Sequence, residues 1–280
     1  MGEPICANLL RKSGCPVLGY DLRPEPLGRL AYQDLEARAS AEDVARDATT
    51  VFLSLPGGEE LAELGERLSG VMRRGSVLVD LSTAPVGLTR ALAEEFEAQG
   101  IAYADAPVAR TRFAAERGEL SVMVGADAAT FARIEPYLRC FASDVLHCGE
   151  VGAGQVAKLL NNMVLFEIGG AIAEALAISR QSGVEPAMLL EALSKGSADS
   201  FALRNHGRNA MLPQNYPERA FSTRYALKDL EYALALAAQA GIDAPGARLV
   251  HERFFHAIAA GDGERYWPVI AEHVGRKGEP

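Results

Sequence analysis

Cysteine is scarce in this chain. Cys6, Cys15, Cys140 and Cys148 are the only four, with no CxxC pair and no metal-ligand rhythm. That sets aside a disulfide scaffold and a metal centre, and leaves reduced, structural thiols of a cytoplasmic protein. Positive charge is also in deficit. The 28 lysines and arginines face 37 acids, for a formal net charge of −9. Phosphate backbones want a basic face, so a nucleic-acid partner is not expected. No uninterrupted apolar run approaches the roughly 20 residues of a membrane span, and none is expected to meet a membrane. The opening Met1-Gly2-Glu3-Pro4 lacks the basic and apolar regions of a signal peptide. No internal repeat or low-complexity segment is visible. What remains is 49% hydrophobic and 23% charged over 280 residues, enough for one large domain or two ordinary ones with real cores.

The first half alternates short apolar strands with amphipathic helices. Residues 16–20, 50–55, 76–81 and 101–104 read as strands, the second stopped by Pro56-Gly57-Gly58. Residues 59–68 and 86–99 read as helices between them. Strands with little polar alternation, separated by helices, predict a parallel sheet covered on both faces. Residues 120–124 and 145–147 read as further strands at the sheet edge, around a helix at 128–138. The pattern then changes. Apolar residues recur at helical spacing without a proline break over 154–182, a helix on the order of 40 Å long at 1.5 Å per residue. The segments 186–194, 201–209, 224–240, 245–260 and 264–273 also read as helix, and no strand is predicted after about residue 150. The expectation is an α/β domain over residues 1–150 and an all-helical domain over 151–280, joined by the long helix.

A parallel α/β domain suggests a nucleotide site at the carboxyl ends of its strands. The usual fingerprint is a strand, then GxGxxG, then a helix whose N-terminus holds the pyrophosphate. This chain opens directly on a helix, Met1-Gly2-Glu3-Pro4-Ile5-Cys6-Ala7-Asn8-Leu9-Leu10. Gly2 fits the third glycine of such a fingerprint, which places the first strand and the first two glycines upstream of Met1. The expected fold is thus a Rossmann-type domain without its first strand. Asp21 follows the next strand about 20 residues on, where an acid commonly takes the adenosine ribose hydroxyls. An acid there points to NAD ahead of NADP; Arg23 leaves room for NADP. A surface turn aspartate is the plain alternative.

Four segments, in order and at coherent spacing, resemble the β-hydroxyacid dehydrogenases of the 3-hydroxyisobutyrate dehydrogenase and tartronate semialdehyde reductase types. The first nine residues match the end of that family's GxGxMGxPxAxNL. Asp105-Ala106-Pro107-Val108, followed by Gly118, Leu120 and Met123-Val124-Gly125, matches its DAPVSGG, GxL and MVGG. Gly152-Ala153-Gly154-Gln155-Val156-Ala157-Lys158-Leu159-Leu160-Asn161-Asn162 matches GxGxxxKxxNN, and Lys228-Asp229-Leu230 matches the fourth. Leu55-Pro56 and Ser82-Thr83 stand where the family has its LP and ST cofactor contacts. The resemblance covers essentially the whole chain.

It implies an oxidoreductase that moves a hydride between NAD or NADP and a small β-hydroxy acid or the matching semialdehyde. Lys158 would be the general acid/base, taking the hydroxyl proton in oxidation and donating it in reduction. Its small and apolar neighbours Val156, Ala157, Leu159 and Leu160 are consistent with a partly buried amine, whose pKa falls toward neutrality. Asn162, four residues on and so on the same helical face, would hold the substrate. Gly2, Asp21, Arg23, Leu55, Pro56, Thr83 and Lys228 would bind cofactor. A helix cap is an equal alternative for Thr83, and a surface pair with Asp229 or Glu231 for Lys228. The chain departs from the family at Ala109-Arg110-Thr111, where Ser-Gly-Gly normally holds the substrate carboxylate. Ala109 removes the hydroxyl, so the serine's role does not carry over. Arg110 and Arg112 bring two cations that could hold a carboxylate or phosphate, or point to solvent. Trp267, in the segment matching the family's closing turn, reads as a core or interface anchor. A non-catalytic scaffold of the same fold is the competing reading, favoured by the missing strand; Lys158, Asn162 and Lys228 favour an enzyme. A homodimer or homotetramer is expected, because the helical domain has too little chain to enclose its long helix.

Overall fold

The computed structural model describes residues 1–218 and 220–275, which form two compact units, Met1–Lys158 and Leu159–Pro280. The first unit is α/β. Its strands are β1 (Leu18–Gly19), β2 (Glu36–Ala37), β3 (Thr50–Leu53), β4 (Val77–Asp80), β5 (Ala102–Asp105), β6 (Val108–Ala109), β7 (Leu120–Gly125) and β8 (Ala142–Gly149). Its helices are α1 (Gly2–Lys12), α2 (Pro24–Leu30), α3 (Ala41–Asp47), α4 (Gly58–Ser69), α5 (Val86–Ala98), α6 (Arg112–Arg117) and α7 (Ala128–Leu138). Helix α8 (Ala153–Gln181) starts in this unit and runs on through the second.

β3, β4 and β5 are parallel neighbours, as their uniform apolar character predicts. All four residues of β4 are buried. Val77 and Val79 enter one core with Leu120, Val122, Val124, Phe141 and Ile134, while Leu78 enters another with Leu61, Leu68, Phe96 and Tyr103. The two-residue period of a strand thus serves both faces. The sheet is not wholly parallel. β7 runs antiparallel to β5 and β6, and β8 pairs parallel with β7. β1 and β2 form a separate parallel ladder, and among the described residues no strand joins it to β3. The single parallel sheet expected from the sequence is therefore two ladders, one of them mixed.

The second unit is helical: α9 (Pro186–Lys195), α10 (Thr223–Gln239) and α11 (Pro245–Ala259) pack with α8. Two expected helices differ in kind. The 201–209 segment winds as a π-helix over Leu203–Met211, with Leu212 N–H bonding five residues back to Gly207. The 264–273 segment is a 3₁₀ turn over Trp267–His273. Its first residue, Trp267, donates its amide to Phe221 oxygen, and Pro268, which has no amide hydrogen, takes the second position. Helix α8 is also long and apolar enough to cross a bilayer by length and composition alone, although Lys158, Asn161, Asn162, Glu167 and Glu174 interrupt its apolar run. Its buried face supplies Phe166, Ile172, Ala173 and Leu176 to the helical core.

The centre of that core is Trp267, packed on Phe166, Phe254 and His206 at ring distances of 5.2, 6.2 and 4.9 Å. His206 is buried, and its Nδ1 lies 2.6 Å from the Tyr266 hydroxyl. Burial lowers its pKa from 6.5 to about 4. Between these values the unfolded chain binds more protons than the folded one, so stability falls as pH drops through that window. The expected loss at pH 4 is about 3 kcal/mol. Urea midpoints should therefore be flatter between pH 6.5 and 4 in His206→Gln than in wild type. Equal slopes would assign the acid sensitivity to other groups.

Candidate active site

Within the first unit, β3 and β4 end side by side, with Leu53 opposite Asp80 in the register. Ser82 follows β4 directly. It is buried, its amide donates to Asp80 Oδ1 at 2.9 Å, and its hydroxyl accepts the Leu55 amide at 2.9 Å. The Leu55-Pro56 and Ser82-Thr83 segments are thus tied together at one end of the sheet. Helix α5 begins after Pro85, which cannot cap it with a side chain, and Thr83 stands two residues ahead of that start. Gly2 stands at the same end: a Cβ on it would lie 3.4 Å from Ser54 Cβ.

Lys158 sits on the second turn of α8 and is only 9% exposed. The start of that helix is fixed by residues whose roles the sequence reading did not assign. Asp105, the last residue of β5, is fully buried and accepts the Gly152 amide at 2.6 Å and the Gln155 amide at 2.7 Å. Gln155, also fully buried, donates to Ser82 oxygen at 2.8 Å and accepts the Ala84 amide at 3.1 Å. Gly154 is obligatory for a steric reason: a Cβ there would collide with the Met123 carbonyl oxygen and with Asp105. Gly152 adopts φ +93°, a left-handed conformation that glycine tolerates. Burial pushes the Asp105 carboxyl up to about 6, against the pull of the Gly152 and Gln155 amides.

In the second unit Asn162 is 2% exposed and donates to Asp229 Oδ2 at 2.7 Å. Asp229 Oδ1 lies 3.0 Å from Lys228 Nζ, and the ammonium stands 5.0 Å from the Tyr232 ring centre. Lys228 is therefore joined through Asp229 to Asn162. The Lys228–Asp229 pair is the alternative that the sequence offers for this lysine; the bond from Asn162 to the same carboxylate is not legible in the spacing of the motifs.

The 109–112 loop departs from expectation in one respect. Arg110 does not point freely to solvent. Its guanidinium donates to Glu119 oxygen at 2.6 Å, Ser143 Oγ at 2.8 Å and Asp144 Oδ2 at 2.6 Å. These bonds hold a non-glycine residue at φ +83°. Ala109 lies in β6, and Thr111 caps α6 by accepting the Ala114 amide. Arg112 pairs with Glu116 and Glu3 at 3.3 and 3.4 Å. Left-handed strain at a non-glycine residue costs about 1–2 kcal/mol, and a half-exposed ion pair returns about 0–1 kcal/mol. Arg110→Gly should therefore change stability by no more than about 1 kcal/mol. Arg110→Ala keeps the strain and loses the bonds, so it should be the least stable of the three by thermal melting; an alanine variant as stable as the glycine one would show that the backbone is unstrained.

The groups at this end of the sheet suit a dinucleotide. Helix α1 runs from Gly2 to Lys12, and the backbone amides of a helix N-terminus favour an anion. Glu3, which would repel one, is turned to Arg29 at 2.6 Å, and that hydrogen bond holds its carboxyl below the usual range. Asp21 follows β1, half-buried, accepting the Arg23 amide at 2.8 Å. Among the described residues no cluster of acids, histidines and cysteines forms a metal site. The α/β unit, parallel through β3, β4 and β5 with Leu55-Pro56 and Ser82-Thr83 tied together at one end, is the frame of a dinucleotide-binding oxidoreductase.

Known proteins agree. A family model described as the NAD binding domain of 6-phosphogluconate dehydrogenase matches residues 1–149, and one described as the NAD-binding of NADP-dependent 3-hydroxyisobutyrate dehydrogenase matches residues 152–266. The chain is 35% identical to the 3-hydroxyisobutyrate dehydrogenase of Pseudomonas aeruginosa, covering 94% of this chain and 91% of that protein. It is 30% identical to the 2-(hydroxymethyl)glutarate dehydrogenase of Eubacterium barkeri, covering 94% and 88%. A solved structure of Mycobacterium tuberculosis 3-hydroxyisobutyrate dehydrogenase with L-serine matches with a TM-score of 0.88 at 28% identity, covering 99% and 96%. The chain belongs to the β-hydroxyacid dehydrogenase family, and its cofactor is NAD or NADP.

Proposed function

We propose that this protein oxidises a 2-substituted 3-hydroxypropanoate to the matching semialdehyde, reversibly, with Lys158 as general acid/base. The substrate class follows from chemistry shared by two relatives: 3-hydroxyisobutyrate and 2-(hydroxymethyl)glutarate both carry a primary alcohol β to a carboxylate. The observation that carries the reading is the placement of Lys158. An amine 9% exposed sits one turn before the buried Asn162 on one continuous helix. A bound nicotinamide supplies the two-electron acceptor for the carbinol hydride. The Lys158 amine takes the hydroxyl proton as the hydride leaves, and returns it in reduction. Asn162 orients the substrate, its amide held by Asp229. The N-terminus of α1 at Gly2 takes the pyrophosphate. Asp21 takes the adenosine ribose hydroxyls, which favours NAD, with Arg23 beside it. Leu55, Pro56, Thr83 and Lys228 complete the cofactor contacts. The loop of Ala109, Arg110 and Thr111 lies where the family binds the substrate carboxylate. With Arg110 bonded to Asp144, that loop offers backbone and the Thr111 hydroxyl rather than a free guanidinium.

A scaffold has no chemical need for a buried lysine, so the enzymatic reading is preferred. The protein is proposed to act in the cytoplasm as a homodimer or homotetramer. Leu160, Val164 and Ile178 recur on one face of α8 at 40, 50 and 64% exposure, an apolar stripe that a second copy would cover. Spectrophotometric screening of β-hydroxy acids with NAD and NADP tests the function. Turnover confined to substrates with a primary alcohol β to a carboxylate is the expected result. Turnover of secondary alcohols or amines alone would replace it.

A further inference from the structure

The geometry points to Asp105 as a positioning residue: it clamps the start of α8 to the end of β5 and so sets where Lys158 stands. This rests on the reading of Lys158 as the acid/base. The first amides of a helix lack partners inside it, and most helices satisfy them with a Ser, Thr or Asp beside the first turn. Here the acceptor comes from a strand 47 and 50 residues earlier in the chain, through one carboxylate that takes both amides. A local cap would stabilise the helix equally well. A cap borrowed from a strand end also ties the helix to the sheet.

Two further observations make the tie rigid. Gly154 brings the first turn against the Met123 carbonyl and Asp105 so closely that no Cβ fits. Gln155 reaches the other way and holds the segment after β4 by both atoms of its amide, through Ser82 oxygen and the Ala84 amide on either side of Thr83. Lys158 follows Gly154 by four residues and Gln155 by three, so all three share one helical face. The lysine therefore hangs one turn from two fixed points, one on β5 and one beside Thr83. Buried carboxylates without a cation are costly unless hydrogen-bonded, and the aligned amides of the helix start supply that stabilisation. Tyr103 also senses the Asp105 charge, and burial raises its hydroxyl well above the usual value. A displacement of about 1 Å at a catalytic group costs about 100-fold in rate, which sets the effect a lost clamp should have.

The test uses the full chain and pairs hydrogen exchange with steady-state kinetics. Asp105→Asn keeps the shape but sets an NH₂ group against a backbone N–H. It should speed amide exchange over 152–158 at least about tenfold, while exchange in β4 is unchanged. It should lower kcat by about 100-fold, with KM and NADH affinity within about threefold of wild type. Gln155→Met fills the same space without burying a charge and gives up the bonds to Ser82 oxygen and the Ala84 amide, so it leaves the Asp105 bonds to α8 in place and should show the same split in weaker form. Exchange at 152–158 that does not change, or that rises equally across the α/β unit, overturns the clamp. So does a kcat that stays at the wild-type value despite faster local exchange. A wild type without hydride transfer overturns the functional reading instead, and exchange at 152–158 then judges the tie between Asp105 and α8 by itself.

Discussion

Lys158→Ala is expected to lower kcat by about 10²- to 10⁴-fold, the contribution of a positioned general acid/base. Alanine is a strong helix former, so α8 should persist, and the Asp105 and Gln155 contacts lie a full turn upstream. The Lys158 side chain is nearly buried on the same helix face as Gly154 and Asn162, so its loss affects a sheltered spot rather than the cofactor's phosphates. NADH affinity should therefore stay near the wild-type value. Added small primary amines should restore part of the rate, because the missing group is a base. A variant that retains kcat within about threefold would remove Lys158 from the proton-transfer step.

The largest stability effect is expected at Trp267. Its side chain is fully buried among Phe166, Phe254, His206 and Tyr266. A Cβ on Gly169 would run into its ring, so the helix backbone itself is shaped to receive it. Trp267→Ala should cost about 3–5 kcal/mol, near the whole stability of a modest domain. Trp267→Phe should cost much less, because the indole Nε1 has no partner among the described residues and phenylalanine gives up ring area alone. Urea midpoints of the two variants check this. Equal losses would mean that the indole nitrogen, and not the packing, matters most.

These two residues also mark what the sequence could and could not disclose. Lys158 stands out in the sequence because its segment carries glycines, a lysine and paired asparagines at fixed spacing, and its role is the proposal made above. β3 and β4 were readable because a strand buried on both faces is apolar throughout, and α8 because its helical period runs for eight turns without a break. The stretch from Pro24 to Asp47 was not. It holds a two-residue strand and two seven-residue helices, too short for any period to emerge. The antiparallel reversal at β7 escaped for a related reason, since β5 and β7 share a single residue pair. Arg110 had no signal at all, because its partners Ser143 and Asp144 belong to another strand. Asp105 was visible as part of a motif, yet its tie to α8 spans about fifty residues and exists only once the sheet has formed. Periodicity reports the elements; long-range hydrogen bonds, which hold the lysine in place, leave no period to read.

The most direct test of the account follows the hydride itself. The protein would be given 3-hydroxyisobutyrate deuterated at the carbinol carbon together with NAD, and the reduced cofactor weighed by mass spectrometry. The account predicts one deuteron carried into each reduced nicotinamide, at a rate that collapses in Lys158→Ala. Reduced cofactor without deuterium, or none at all across the β-hydroxy acids with NAD and NADP alike, would contradict it.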